Sequence, residues 1–214
     1  MQLEFTKMHG LGNDFVIVDL ITQTAMLTAA NIARLGDRHT GIGFDQLLVV
    51  EAPEIPEADF RYRIFNADGS EAEQCGNGAR CFTRFVHDRR LTVKSEVRLQ
   101  TNTGVIICHL HENGQVEVDM GEPSFDPAEL PCLATAECDL HGDSARIRLD
   151  DDILEWALVS MGNPHAILFV DDIFTAEVER IGAAVQALSA FPNGVNVGFC
   201  QVVDRGFLRL RVFE

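Results

Sequence analysis

The sequence predicts an α+β fold of two pseudo-symmetric halves, each a mixed or antiparallel sheet wrapped around a helix, with the second half incomplete. Three observations predict it. Strand-like runs surround two helix-like ones, and two hairpin signals follow them. The pattern of the first part of the chain returns past the middle at a nearly constant offset. Between them lies a proline-rich stretch, Glu122-Pro123-Ser124-Phe125-Asp126-Pro127-Ala128-Glu129-Leu130-Pro131, which reads as a linker and divides residues 1–122 from 123–214.

Taken in order, Phe15 to Asp19, Leu47 to Val50 and Tyr62 to Phe65 are rich in β-branched and aromatic residues and read as strands. Thr28 caps a helix that runs through Leu35 and stops near Gly36. A second helix starts at Gly76, carries Ala79, Phe82, Phe85 and Val86 on one face, and runs towards Arg89-Arg90. Hairpin signals follow at Asn102-Thr103-Gly104 and Asn113-Gly114.

The second part echoes the first. Asn13 returns as Asn163, Thr28 with its helix as Thr175, Gln46 as Asn196 and Phe65 as Phe213, at offsets of 147 to 150 residues. Four matches in the same order are hard to obtain by chance. The same offset carries Cys75 past Glu214, so the second half is expected to lack the helix that matches Gly76 to Arg89, and with it a second cysteine.

Composition excludes several classes. The net charge is −16, from 33 acidic and 17 basic residues, which argues against nucleic acid and anionic membrane surfaces as partners. A secretory leader is not expected from the first residues, and no apolar run in the sequence is long enough to span a membrane. The six cysteines (Cys75, Cys81, Cys108, Cys132, Cys138, Cys200) make neither a C-x-x-C pair nor a zinc spacing. Reduced thiols in a cytoplasmic protein with no metal are the simplest reading. Lys7 and Lys94 are the only lysines and neither follows a phosphate loop, so the chemistry is expected to run on side chains without a cofactor.

Cys75, in Gln74-Cys75-Gly76-Asn77-Gly78-Ala79-Arg80-Cys81, is the foremost catalytic candidate. It stands at the mouth of a helix, where open amides and the helix dipole favour a thiolate and bind anions. Cys81 is read as core packing. Asn13, Gln46, Asn66, Asn77, Asn163 and Asn196 sit at strand ends or turns. An isolated turn asparagine usually serves its own backbone, but two pairs here occupy equivalent places in the two halves. A cleft between the halves would then offer neutral amides to both ends of a zwitterion. His165 tunes a thiol or caps a turn, His9 is structural, and Glu71 and Glu73 form a solvated loop face. Glu214 ends a strand that runs into the expected cleft.

Met8-His9-Gly10-Leu11-Gly12-Asn13-Asp14-Phe15, Gly43-Phe44-Asp45-Gln46, Phe65-Asn66-Ala67-Asp68-Gly69-Ser70, the Cys75 motif and Ser160-Met161-Gly162-Asn163-Pro164-His165 together resemble the diaminopimelate epimerase family. The resemblance implies cofactor-independent interconversion of LL- and meso-diaminopimelate on the route to lysine and peptidoglycan. It also implies two pseudo-symmetric domains with the active site between them, usually in a homodimer. Cys75 matches one of two catalytic cysteines, and Asn13, Gln46, Asn66, Gly76, Asn77, Asn163 and Asn196 match substrate-binding positions. His165 and Glu214 match residues that influence the cysteines, Glu214 also holding the substrate amine. The family's pattern continues past Glu214 with Arg-Gly-x-Gly-Glu-Thr and a second cysteine-glycine turn. These 214 residues are therefore expected to exchange at best one enantiomer's α-proton. A proline racemase-like epimerase and a non-catalytic ligand-binding remnant are the alternatives. Two cysteines make chemical sense, because inversion removes a proton from one face of Cα and delivers one to the other.

Overall fold

A computed structural model of the protein describes residues 3–72, 75–126, 130 and 132–213. They form an α+β fold of two compact units, Met1–Gly121 and Glu122–Glu214, and each hydrophobic cluster is confined to one unit. The proline-rich stretch is tied to the second unit. Ser124 and Ser160 exchange backbone hydrogen bonds of 2.9 and 2.8 Å, and Leu130 is buried in that unit's core.

The first unit runs β1 (Thr6–Gly10), β2 (Asn13–Asp19), α1 (Ala29–Gly36), β3 (Gln46–Glu51), β4 (Phe60–Asn66), β5 (Glu71–Ala72), α2 (Gly76–Asp88), β6 (Glu96–Gln100), β7 (Val105–Leu110) and β8 (Val116–Asp119). Its sheet has the order β1-β2-β3-β4-β6-β7-β8, with β5 beside β4. The β2·β3 and β4·β6 pairs are parallel and the rest antiparallel. Both faces are covered. Phe15, Ile17, Leu48, Val50, Tyr62 and Ile64 pack with α2, through the expected Ala79, Phe82, Phe85 and Val86. Val16, Val18, Leu47, Val49 and Phe65 pack with Ile32 of α1. Coverage on both sides explains why β2 and β3 read as unbroken apolar runs rather than alternating ones. Thr28 caps α1 as expected, its hydroxyl accepting the Asn31 amide at 3.2 Å.

The second unit runs β9 (Cys138–His141), β10 (Ser144–Leu149), β11 (Asp152–Ser160), β12 (Pro164–Phe169), α3 (Val178–Gln186), β13 (Asn196–Asp204) and β14 (Phe207–Phe213), in the sheet order β14-β13-β12-β11-β10-β9. The repeat read from the sequence is also a repeat of strand register. The parallel pairs align Phe15 with Gln46 and His165 with Asn196. The antiparallel pairs align Leu47 with Phe65 and Val197 with Phe213. α3 follows β12 as α1 follows β2, but Thr175 does not open it. The Thr175 hydroxyl is engaged in a turn with the Asp172 carbonyl at 3.2 Å, and the helix starts at Val178, after Glu177.

α3 covers one face of this second sheet, over Trp156, Leu158, Ala166, Leu168, Val197 and Phe199. The opposite face corresponds to the one that α2 covers in the first unit. There Leu208 and Leu210 are each 59% exposed, and among the described residues no helix follows β14.

Candidate functional site

The amide residues singled out in the first unit gather at one end of its sheet. Asn13 opens β2, Gln46 opens β3 and Asn66 closes β4. Because β2 and β3 are parallel while β3 and β4 are antiparallel, a start, a start and an end fall side by side, with Gln46 in register with Asn66. The Gln46 Nε2 donates to Asn66 Oδ1 at 3.1 Å, and Asn66 Nδ2 donates to Ser70 Oγ at 3.1 Å. Asn66 also starts the tight turn Asn66–Ser70. Gly69 completes it with φ +89°, a left-handed conformation that a side chain disfavours. Among the described residues the buried Gln46 Oε1 has no hydrogen-bond partner. A buried orphan acceptor costs free energy, and an arriving donor such as an ammonium would relieve it.

Cys75 is the N-cap of α2, in extended conformation at φ −147° and ψ 108°. Its Sγ accepts the Gly78 amide at 3.4 Å and donates to Asn13 Oδ1 at 3.7 Å. Its carbonyl accepts the Tyr62 hydroxyl at 3.2 Å. The first amides of a helix lack partners within it, and in α2 these include the amides of Gly76 and Asn77. Gly78 is required by close approach, since a Cβ there would stand 2.3 Å from Tyr62 Oη. The Asn77 side chain accepts a hydrogen bond from Arg80.

The titratable groups around Cys75 hold their protons. Burial, with the neighbouring Cys75, pushes the Cys81 thiol up to about 11. Burial likewise raises Tyr62 well above its usual value. Cys81 is therefore packing, as read from the sequence, and Cys108, Cys132, Cys138 and Cys200 are buried reduced thiols too. Among the described residues no cluster of potential metal ligands occurs, and no helix is long and apolar enough to cross a membrane.

In the second unit, Asn163 immediately precedes β12, and Asn196 opens β13 in register with His165. The His165 Nε2 donates to Asn163 Oδ1 at 3.0 Å, and Asn196 Nδ2 donates to the Pro164 carbonyl at 3.3 Å. Burial lowers the His165 pKa from its ordinary value. The ring is then neutral at pH 7, able to donate from one nitrogen and accept at the other. Because the unfolded ring takes up its proton first, stability falls as the pH drops below about 6.5 and through the folded value. An NMR titration of the His165 ring should have its midpoint below about 6.5, and a midpoint above that would contradict the burial argument.

Glu214 and Glu73 lie outside the described residues. Glu71 is exposed, as expected, but stands on a strand rather than in a loop. It lies on β5 and holds Arg63 through two bonds of 2.7 and 3.0 Å, because β5 pairs with β4 and brings the two side chains together. A network that the sequence reading did not single out surrounds Asn13. Arg38 Nη2 lies 2.7 Å from both Asp14 Oδ1 and Asp45 Oδ1, and Lys7 Nζ lies 2.7 Å from Asp14 Oδ2. Arg38, assisted by Lys7, holds the Asp14 carboxyl far below the usual carboxylate range against the opposing effect of burial. Asp45 adjoins Gln46 in a motif already noted, so its place was readable, but its partner Arg38 was not.

The family model for diaminopimelate epimerase matches residues 5–125 and 157–214. The chain is 56% identical over 214 residues to the diaminopimelate epimerase of Acinetobacter baumannii strain AYE, covering all of this chain and 75% of that protein. It is 54% identical to the diaminopimelate epimerase of Pseudomonas savastanoi pv. phaseolicola, covering all of this chain and 76% of that one. In fold it is similar to a hydroxyproline epimerase from Agrobacterium vitis, with a TM-score of 0.68 at 14% identity over 98% of this chain and 69% of the other. Matches along the whole of this chain at more than half identity, together with the family model, place it in the diaminopimelate epimerase family.

Proposed function

We propose that this protein interconverts LL- and meso-diaminopimelate by moving the α-proton, with Cys75 as one of the two groups that transfer it. The observation that carries the reading is the setting of Cys75 at the N-cap of α2, its sulfur between a backbone donor and an amide acceptor. A group that alternates between thiol and thiolate needs a partner for each state. The helix amides of Gly76 and Asn77 suit a carboxylate, and they would also stabilise charge that develops there as the carbanion forms. Asn13, Gln46, Asn66, Asn77, Asn163 and Asn196 are the proposed substrate-binding side chains, with Gly76 contributing backbone. His165 is proposed to modulate the chemistry as a neutral imidazole, and Glu214 to hold the substrate amine.

The two units are proposed to be the two epimerase halves, 1–122 and 123–214. The reaction is proposed to need neither pyridoxal phosphate nor a metal. A cytoplasmic homodimer acting on a small amino acid, with no nucleic-acid or membrane partner, fits the acidic composition and the buried thiols. A second acid must serve the opposite face of Cα. The buried cysteines of the described residues are unsuited to it, because a thiol closed off from solvent reaches no substrate.

The test is stereochemical. LL-diaminopimelate incubated with the protein in deuterium oxide should take up deuterium at the α-carbon, and where a second acid serves the opposite face the meso product carries one deuterium at the inverted carbon, read by NMR and mass spectrometry. Turnover of proline or hydroxyproline in place of diaminopimelate would overturn the substrate assignment.

A further inference from the structure

We propose that Asp45 is a positioning residue of this site: its carboxylate fixes the Asn13 side-chain amide so that Oδ1, and not Nδ2, faces the Cys75 sulfur. The inference rests on the reading of Cys75 as a proton-transferring group. Asp45 Oδ2 accepts the Asp14 amide at 2.8 Å and Asn13 Nδ2 at 3.1 Å, while its Oδ1 lies 2.7 Å from Arg38 Nη2. An ionised carboxylate only accepts hydrogen bonds. A flipped Asn13 would therefore set its carbonyl oxygen against Asp45 Oδ2, oxygen to oxygen. With the amide held, Asn13 Oδ1 receives the Cys75 thiol at 3.7 Å and the Gly78 amide approaches the same sulfur at 3.4 Å. Among the described residues the sulfur then meets Asn13 Oδ1 as an acceptor and the Gly78 amide as a donor. A flip would give it two donors and favour the thiolate one-sidedly.

Two observations set the Arg38–Asp45 pair apart from the needs of the fold. The Arg38 and Asp45 side chains are 54% and 44% exposed, and ion pairs that exposed add little stability. The second unit builds the same strand register without the network: Pro164 stands where the first unit has Asp14 and the buried Val195 where it has Asp45. Among the described residues, the charged and titratable groups around Asn13 and Cys75 are Lys7, Asp14, Arg38 and Asp45 from the strand side, and Tyr62 and Cys81 from β4 and α2.

The test is the pH dependence of Cys75 alkylation by iodoacetamide, read by peptide mass spectrometry in the full chain. Asp45→Ala should lower the midpoint by about one pH unit, the effect of one hydrogen bond gained by a thiolate. In an Asn13→Ala background the same substitution should produce little further shift, because no amide is left to turn. An unchanged midpoint in Asp45→Ala overturns the proposal. So does an equal shift in the Asn13→Ala background, since that would mean a plain charge effect. Alkylation reads the thiol whether or not it catalyses. A shift as expected, alongside full epimerase activity in a Cys75 variant, would sink the functional reading and leave the positioning role standing.

Discussion

Cys75→Ser lowers the rate of α-hydrogen exchange into diaminopimelate by about 10²–10⁴-fold, the usual contribution of a positioned acid or base. Serine is the informative replacement. Its hydroxyl is a good N-cap, so it can take over the Gly78 amide that the sulfur now holds at 3.4 Å. The helix keeps its start and the melting temperature stays near that of the parent. What is lost is a group that ionises within reach of neutral pH, since an alcohol does so far less readily than a thiol. Loss of activity with the fold intact therefore assigns the effect to the proton transfer itself. Solvent deuterium incorporation at the parent rate in Cys75→Ser would remove the thiol from the mechanism.

Much of this was legible in the sequence because it depends on local or periodic signals. The face of α2 shows in the spacing of Ala79, Phe82, Phe85 and Val86, all buried. The cap of α1 shows in Thr28. The repeat was legible because its halves preserve strand register, so a constant offset in sequence became a constant pairing in space. What the repeat could not supply was whatever the halves do not share. β9 and β10 extend the second sheet beyond β11 and have no counterpart next to β1. Their alternation of Ala145, Ile147 and Leu149 against polar neighbours was the available signal. In the site, residue types at strand ends could be read one by one. The Lys7–Asp14–Arg38–Asp45 network could not, because it joins three separate segments of chain, and the direction of an amide is decided only by what faces it. Thr175 misled for a local reason: a threonine beside a helix can serve a preceding turn as readily as a cap.

Phe199→Ala destabilises the second unit by about 3–5 kcal/mol, the range for emptying a buried aromatic site. Phe199 is fully buried and meets Trp156 edge to face, with ring centroids 6.2 Å apart at 75°. Its removal takes away both transfer free energy and an aromatic contact worth about 0.5–1.5 kcal/mol. Such a loss is large against the ~5–15 kcal/mol that holds a typical domain. Trp156 is the only tryptophan of the chain, so the shift of its emission in denaturant reports this unit, and the midpoint should fall with the slope nearly unchanged. Leu210→Ala is the matched comparison. It lies in the same sheet but on the face away from α3, 59% exposed, where a substitution costs about 0.5 kcal/mol or less. The contrast tests the assignment of faces itself. If α3 marks the core side, as Ile32 of α1 does for the equivalent face of the first unit, the two variants differ severalfold in cost. Equal costs would mean that the face carrying Leu208 and Leu210 is as well packed as the one carrying Phe199, and the correspondence between the two sheets would fail there.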